Sequence, residues 1–173
     1  MIKNIVSARG LVALNLLLLC GLVASAKAQT PLPDAIAAPG ETVVLSTHAE
    51  GAQVYECKAG ADGKLAWALR EPIATLVVDG KTIARHYAGP NWEHVDGSAV
   101  VGKVIGSAPG VMADDIAWLK LQVASARGNG ALGGVSTVQR INTKGGKIEG
   151  ACDRAGSLKS ASYSADYIFL RKG

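Results

Sequence analysis

The chain is poor in the residues that most often carry chemistry. It has three histidines, three cysteines and few aromatics: three Trp, four Tyr and a single Phe. The histidines show no H-x-H or H-E-x-x-H spacing and no cysteine has a close Cys or His neighbour, so none of the usual zinc frameworks is present. A G-x-S-x-G nucleophile elbow is also missing. No helical periodicity runs long enough to supply the crossovers of a parallel sheet, and no internal repeat is found. Basic residues form no cluster, which argues against nucleic acid as a partner.

The net charge of +4 comes from 18 Lys and Arg against 14 Asp and Glu, and much of it belongs to one end of the chain. Lys3, Arg9 and Lys27 lie within residues 1–28, which hold no acid, so without that segment the +4 falls by three to +1. The segment reads as a cleavable signal peptide: a basic start, an apolar run from Leu11 to Ala24, and Ala26-Lys27-Ala28 before the expected cut. The uncharged stretch is shorter than the ~20 residues a membrane helix needs. A lipid anchor on Cys20 is disfavoured because Leu19 stands where a small residue is expected. A periplasmic or secreted protein is therefore expected, with no stable membrane anchor after cleavage. Cys57 and Cys152 then remain in a chain bound for an oxidising compartment, and a single disulfide between them is the economical reading.

Residues 29–40 contain Pro31, Pro33 and Pro39 and read as an extended leader. From 41 to 173 the pattern is of short β-branched or alternating runs divided by turn residues, the spacing of an all-β domain. A first strand begins near Glu41, with Gly51 as its break. The run Ala52–Lys58 puts Gln53, Tyr55 and Cys57 on one face. Gly60-Ala-Asp-Gly63 is a turn, Pro72 is expected to end the strand after it, and Asp79-Gly80 is a hairpin signal. Residues 85–102 hold two histidines and Trp92 between Gly89-Pro90 and Asp96-Gly97, the latter expected as a two-residue turn with both residues at positive φ. Gly102 and Gly106 predict bulges or close backbone approaches. Ile116–Ala124 is assigned as strand, although helix competes there. Gly128–Gly133 matches G-x-G-x-x-G, but β-branched residues follow where a helix should open, so it is a connecting loop. Thr143–Lys147 reads as another hairpin turn, and the last strand places Tyr163, Tyr167 and Phe169 on one face. The sum is a single antiparallel domain, either a β-sandwich or a flattened barrel.

Several of these runs also resemble a known family. Gln53-Val-Tyr-Glu-Cys-Lys58, His86-Tyr-Ala-Gly-Pro-Asn-Trp92, Asp96-Gly-Ser98, Ala117-Trp-Leu119, Arg140 to Gly146 and Ala151-Cys-Asp153 look like the family catalogued as domain of unknown function 3455. The resemblance implies a secreted single domain and carries no catalytic residue with it. One departure is Ile116-Ala117-Trp118, where an apolar-Pro-Trp is expected.

Three constellations offer themselves as sites. His86, His94 and Asp96, joined by Glu93 or His48, could bind a metal or perform acid/base work. Ser98 with either histidine and Asp96 has the residue types of a nucleophilic triad, but Ser98 follows a turn where its hydroxyl can bond its own backbone. Tyr55, Trp67, Tyr87 and Trp92 could line a recognition face, with Trp92 placed at a rim between two turns. The binding candidates are thus His86, Tyr87, Trp92, His94 and Asp96, for a small ligand, glycan, lipid or peptide. No cofactor is predicted. The favoured function is a non-catalytic binding or envelope-associated module, and the alternative is a small metal-dependent hydrolase or oxidoreductase using His86, His94 and Asp96.

Overall fold

The computed structural model describes residues 32–173. The expected signal segment, residues 1–28, and the start of the leader lie outside the described residues. Eight strands follow in order: β1 (Glu41–Ala59), β2 (Leu65–Val78), β3 (Lys81–Tyr87), β4 (Asn91–His94), β5 (Ala99–Ala108), β6 (Trp118–Arg127), β7 (Thr137–Gly145) and β8 (Leu158–Lys172). Each pairs antiparallel with the next, and β8 returns to pair with β1 from Glu41↔Lys172 to Glu56↔Leu158. The sheet therefore closes as an up-and-down barrel, although the first half of β2 is paired on its β1 side alone. Of the two expected all-β forms, the barrel is the one adopted.

Closure depends on β1 being long enough to pair on both sides. At 19 residues it runs straight through Gly51, so the break expected there does not occur. Gly51 serves close approach instead: a Cβ at that position would run into the Ile73 carbonyl and Ala74 of β2. Pro72 likewise does not end its strand. It pairs with Gln53 on the stretch of β2 that has no β3 partner, because β2–β3 pairing starts only at Ala74↔His86. A missing N–H costs nothing to a ladder that is one-sided.

Other turns also differ from the sequence expectation. At Asp96-Gly97 only Gly97 has positive φ, 86°. The Gly97 N–H bonds the His94 carbonyl and the His94 N–H bonds that of Ser98, so the connection is one residue longer, with glycine as its left-handed residue. β7 continues to Gly145, paired with Tyr163, so the expected Thr143–Lys147 hairpin is strand followed by a long crossing to Leu158. Asn142 (φ 52°) absorbs a bulge within it. The leader holds a 3-10 turn, Asp34–Ile36, with Ile36 fully buried. This turn packs outside the wall: the Gln139 amide donates to the Ile36 carbonyl at 2.6 Å, and Gly106 is bare where the Ala35 carbonyl meets β5.

Period-two alternation fills the interior. Trp92, Leu121, Val138, Tyr163, Tyr167 and Phe169 point inward as one cluster. Truncating any of its large aromatics to Ala costs on the order of 3–5 kcal/mol through lost burial and the cavity left behind. The end carrying the β2–β3, β4–β5 and β6–β7 connections is plugged by Leu132 and Val135. At the opposite end the β7–β8 crossing is tied down by the Cys57–Cys152 disulfide, by the Ala66↔Ala151 and Asp115↔Gly146 bridges, and by the Tyr55 hydroxyl, which donates to the Gly146 carbonyl at 2.9 Å.

Candidate functional site

The barrel wall is uneven because its strands are. β3 and β4 have 7 and 4 residues, while their neighbour β2 has 14 and β5 has 10. The turn at Gly89-Pro90 therefore comes early, and the wall is low there. Above it lies a cavity of about 290 Å³ that reaches the barrel interior. Leu69, Pro72, Val104 and Leu119 form its apolar walls, and Gln53, Arg70, His86, Trp92, Arg140 and Tyr167 supply its polar groups. Leu69 and Val104 are about half exposed at the entrance, 56% and 49%. A separate hollow under the β5–β6 connection shares only Arg140 with it.

The five sequence-predicted candidates are divided by the pleat. His86 and Trp92 are a cross-strand pair facing inward, while Tyr87 and Glu93, one residue further on, face outward. Trp92 is 1% exposed, so it is a core residue and not the rim residue expected; its ring stacks on His86 and meets Tyr167 edge-on at 5.5 Å. The sequence could not show this, since Trp92 is flanked by the polar Asn91 and Glu93, and only its register against inward-facing His86 decides its side. Outside, the Tyr87 hydroxyl and the Arg85 guanidinium both donate to the Glu93 carboxylate, at 2.9 and 3.0 Å. Those bonds, the Tyr87 hydroxyl first, hold Glu93 below the usual carboxylate range. Tyr87 belongs to a surface network.

His94 and Asp96 lie one and three residues beyond Glu93, at the plugged end. The Asp96 carboxylate accepts the Ser98 hydroxyl at 2.6 Å, the Ser98 N–H at 2.8 Å and the Ala131 N–H at 2.7 Å, and lies 3.0 Å from His94 Nδ1. Those bonds, the Ser98 hydroxyl first, pull its titration far down. The G-x-G-x-x-G loop thus wraps a side-chain carboxylate: a Cβ on Gly130 would strike Asp96, and the Leu132 N–H bonds the Ser98 hydroxyl. This arrangement is a loop clamp. A triad needs histidine between serine and acid so that the imidazole can take the hydroxyl proton. Here Asp96 touches both, and so acidic a carboxylate is a poor base. Ser98 is also 1% exposed. Among the described residues no three His, Cys, Asp or Glu side chains gather as a metal-ligand cluster.

His86 is the candidate that reaches the cavity. Its Nδ1 lies 2.8 Å from the Asn91 carbonyl. A carbonyl only accepts, so Nδ1 carries the proton and Nε2 is left as an acceptor. Burial, reinforced by the charge of Arg140 and opposed by the Asn91 hydrogen bond, lowers its pKa from 6.5 to about 4, so at neutral pH the ring is uncharged. Gln53, Arg140 and Tyr167 are the residues that sequence reasoning missed as site residues. A signal existed for two of them. Alternation already put polar Gln53 on the same side as Tyr55 and Cys57, and Arg140 falls two residues from buried Val138. The Nε2 of Gln53 and the Nε1 of Trp92 are buried and, among the described residues, have no hydrogen-bond partner.

The architecture and the cavity together define a class: a closed eight-stranded up-and-down β-barrel with a side-opening interior site. The chain belongs to the family described as protein of unknown function (DUF3455), whose model matches residues 38–171 and so spans all eight strands. No curated protein and no solved structure matches it.

Proposed function

We propose that this protein is an exported binding module that takes a small, largely apolar molecule into the cavity above the β3–β4 turn and performs no chemistry on it. One observation carries the reading. Two buried donors, on Gln53 and Trp92, stand without partners among the described residues, in side chains that wall a cavity open to solvent. Burying an unpaired donor costs about 1–3 kcal/mol, and such a cost persists more readily where the group has a use in recognition. The volume lies at the small end of ligand sites, which span roughly 300–1,000 Å³. Apolar walls with a few deep polar groups suit an amphipathic molecule better than a glycan or an extended peptide. Export is supported by the disulfide, since such bonds persist in oxidising compartments.

The test is a thermal-shift and tryptophan-fluorescence screen of lipids, small acids and alcohols, glycans and peptides. Binding in the cavity should raise the melting temperature and perturb emission from Trp92, and the spectral change should vanish in Trp92→Phe. A change that survives in Trp92→Phe would place the ligand elsewhere, and turnover of any bound compound would replace binding with catalysis.

A further inference from the structure

Arg140 is the unexplained charge in this barrel. It projects from β7 beside Val138, pairs across the sheet with Leu119 and Tyr167, and is half-buried. Its Nε and Nη2 both donate to the Ala117 carbonyl, at 3.1 and 2.8 Å, an interaction that positions the guanidinium without neutralising it. Among the described residues it has no carboxylate within salt-bridge distance. Asp115, which lines the neighbouring hollow with Arg140, spends its oxygens on the Met112 and Gly145 N–H groups, at 2.8 and 2.7 Å. The groups that feel the field of Arg140 are His86, Tyr163 and Tyr167, all of them uncharged at neutral pH. The second cation lining the cavity, Arg70, is at the surface and paired with Glu71 at 3.3 Å, and among the described residues no acidic one lines the cavity.

A guanidinium held in a partly dry site is stabilised by an anion, and its planar fork matches a carboxylate in particular. We infer that the ligand of this barrel is a small carboxylate with an apolar body, its carboxylate held by Arg140 and its body lying between Leu69, Pro72 and Val104 toward the entrance. This rests on the binding reading above and adds the chemical class of the ligand. The unpartnered Gln53 amide is a further donor among the cavity's polar residues, and it too calls for acceptor oxygens.

The experiment is isothermal titration of the full-length mature chain with two carboxylates, octanoate and cinnamate, and with their neutral counterparts, octanol and cinnamyl alcohol. The aliphatic and aromatic pairs separate a lipid-derived from an aromatic acid. Preference for at least one acid over its alcohol is expected, with affinity for that acid falling roughly 10- to 100-fold in Arg140→Gln and the alcohol little affected, the range of a charge-assisted hydrogen bond. Arg140→Lys keeps the charge but loses the fork, and should lie between. Circular dichroism checks that both variants fold; if Arg140→Gln does not, Arg140→Lys must still show the selective loss. Equal binding of acid and alcohol, or a loss in the variants that is the same for both, overturns the carboxylate assignment while leaving a binding cavity standing. If neither acid nor alcohol of either pair binds, the assignment falls, and silence across the wider screen brings down the binding reading with it.

Discussion

His86 and Trp92 face each other as a directly opposed pair across β3 and β4, their rings parallel within 5° and 4.5 Å apart, at the centre of the barrel. The imidazole is thereby dry, and this has a measurable consequence. Its folded pKa of about 4 lies below the unfolded value of 6.5, so between those values the unfolded chain binds the proton and the folded chain does not. Stability from this group is complete above about pH 6.5 and is lost as pH falls through about 4, on the order of 3 kcal/mol in all. Urea unfolding at pH 7, 5.5 and 4.5 should show a steeper loss in the native protein than in His86→Gln. Equal slopes would mean the ring is solvated.

Gln53 should be a residue retained at a cost to stability. Replacing it with Leu removes the unpartnered amide from a site that is 1% exposed. Stability should stay level or rise by about 1 kcal/mol, because no hydrogen bond by the amide nitrogen is lost. Affinity for the cavity ligand should fall in the same variant. A large drop in the denaturation midpoint would instead make Gln53 a structural residue.

The Cys57–Cys152 bond closes a loop of 95 residues and fastens the β7–β8 crossing to the β1–β2 hairpin. In the chain-entropy account such a loop is worth roughly 4–5 kcal/mol. Paired Cys57→Ser and Cys152→Ser substitutions, or reduction, should therefore lower the unfolding free energy by about that amount in a denaturant titration. A change under ~1 kcal/mol would show that the crossing is held by its backbone bridges alone.

Asp96 is predicted to matter for a loop and not for the ligand. In Asp96→Ala the amides of Ser98 and Ala131 lose their acceptor, and hydrogen exchange there should accelerate. Ligand affinity in the cavity should be unchanged, since Asp96 is not among the residues that line it. Loss of binding with unchanged exchange would return Asp96 to the site.

The elements were legible wherever local chemistry decides them. Asp79-Gly80, with φ of 50° and 74°, folds as its dipeptide dictates, and Gly102 and Gly106 lie at the two register shifts between β5 and β6. Tyr163, Tyr167 and Phe169 share the buried face that alternation assigned them. Gly51 and Pro72 misled because both are turn residues in isolation. What they do in the barrel depends on a neighbouring strand, as a close approach in one case and a one-sided ladder in the other. The candidate site was legible only in part. His86 and Trp92 were named, but Tyr87, His94 and Asp96 are drawn off into a surface network and a loop clamp, and Arg140 enters the cavity from a strand some fifty positions away.

Period-two alternation, turn dipeptides and two well-separated cysteines were enough by themselves to specify an antiparallel β domain with one cross-link, because each is a matter of backbone sterics or covalent chemistry within a few residues. Closure of β8 onto β1, the low wall above Gly89-Pro90 and the meeting of Gln53, His86, Trp92 and Arg140 were decided only in three dimensions. Strand register and strand length across the whole ring set which side chains share an interior, and no local run of residues contains that information.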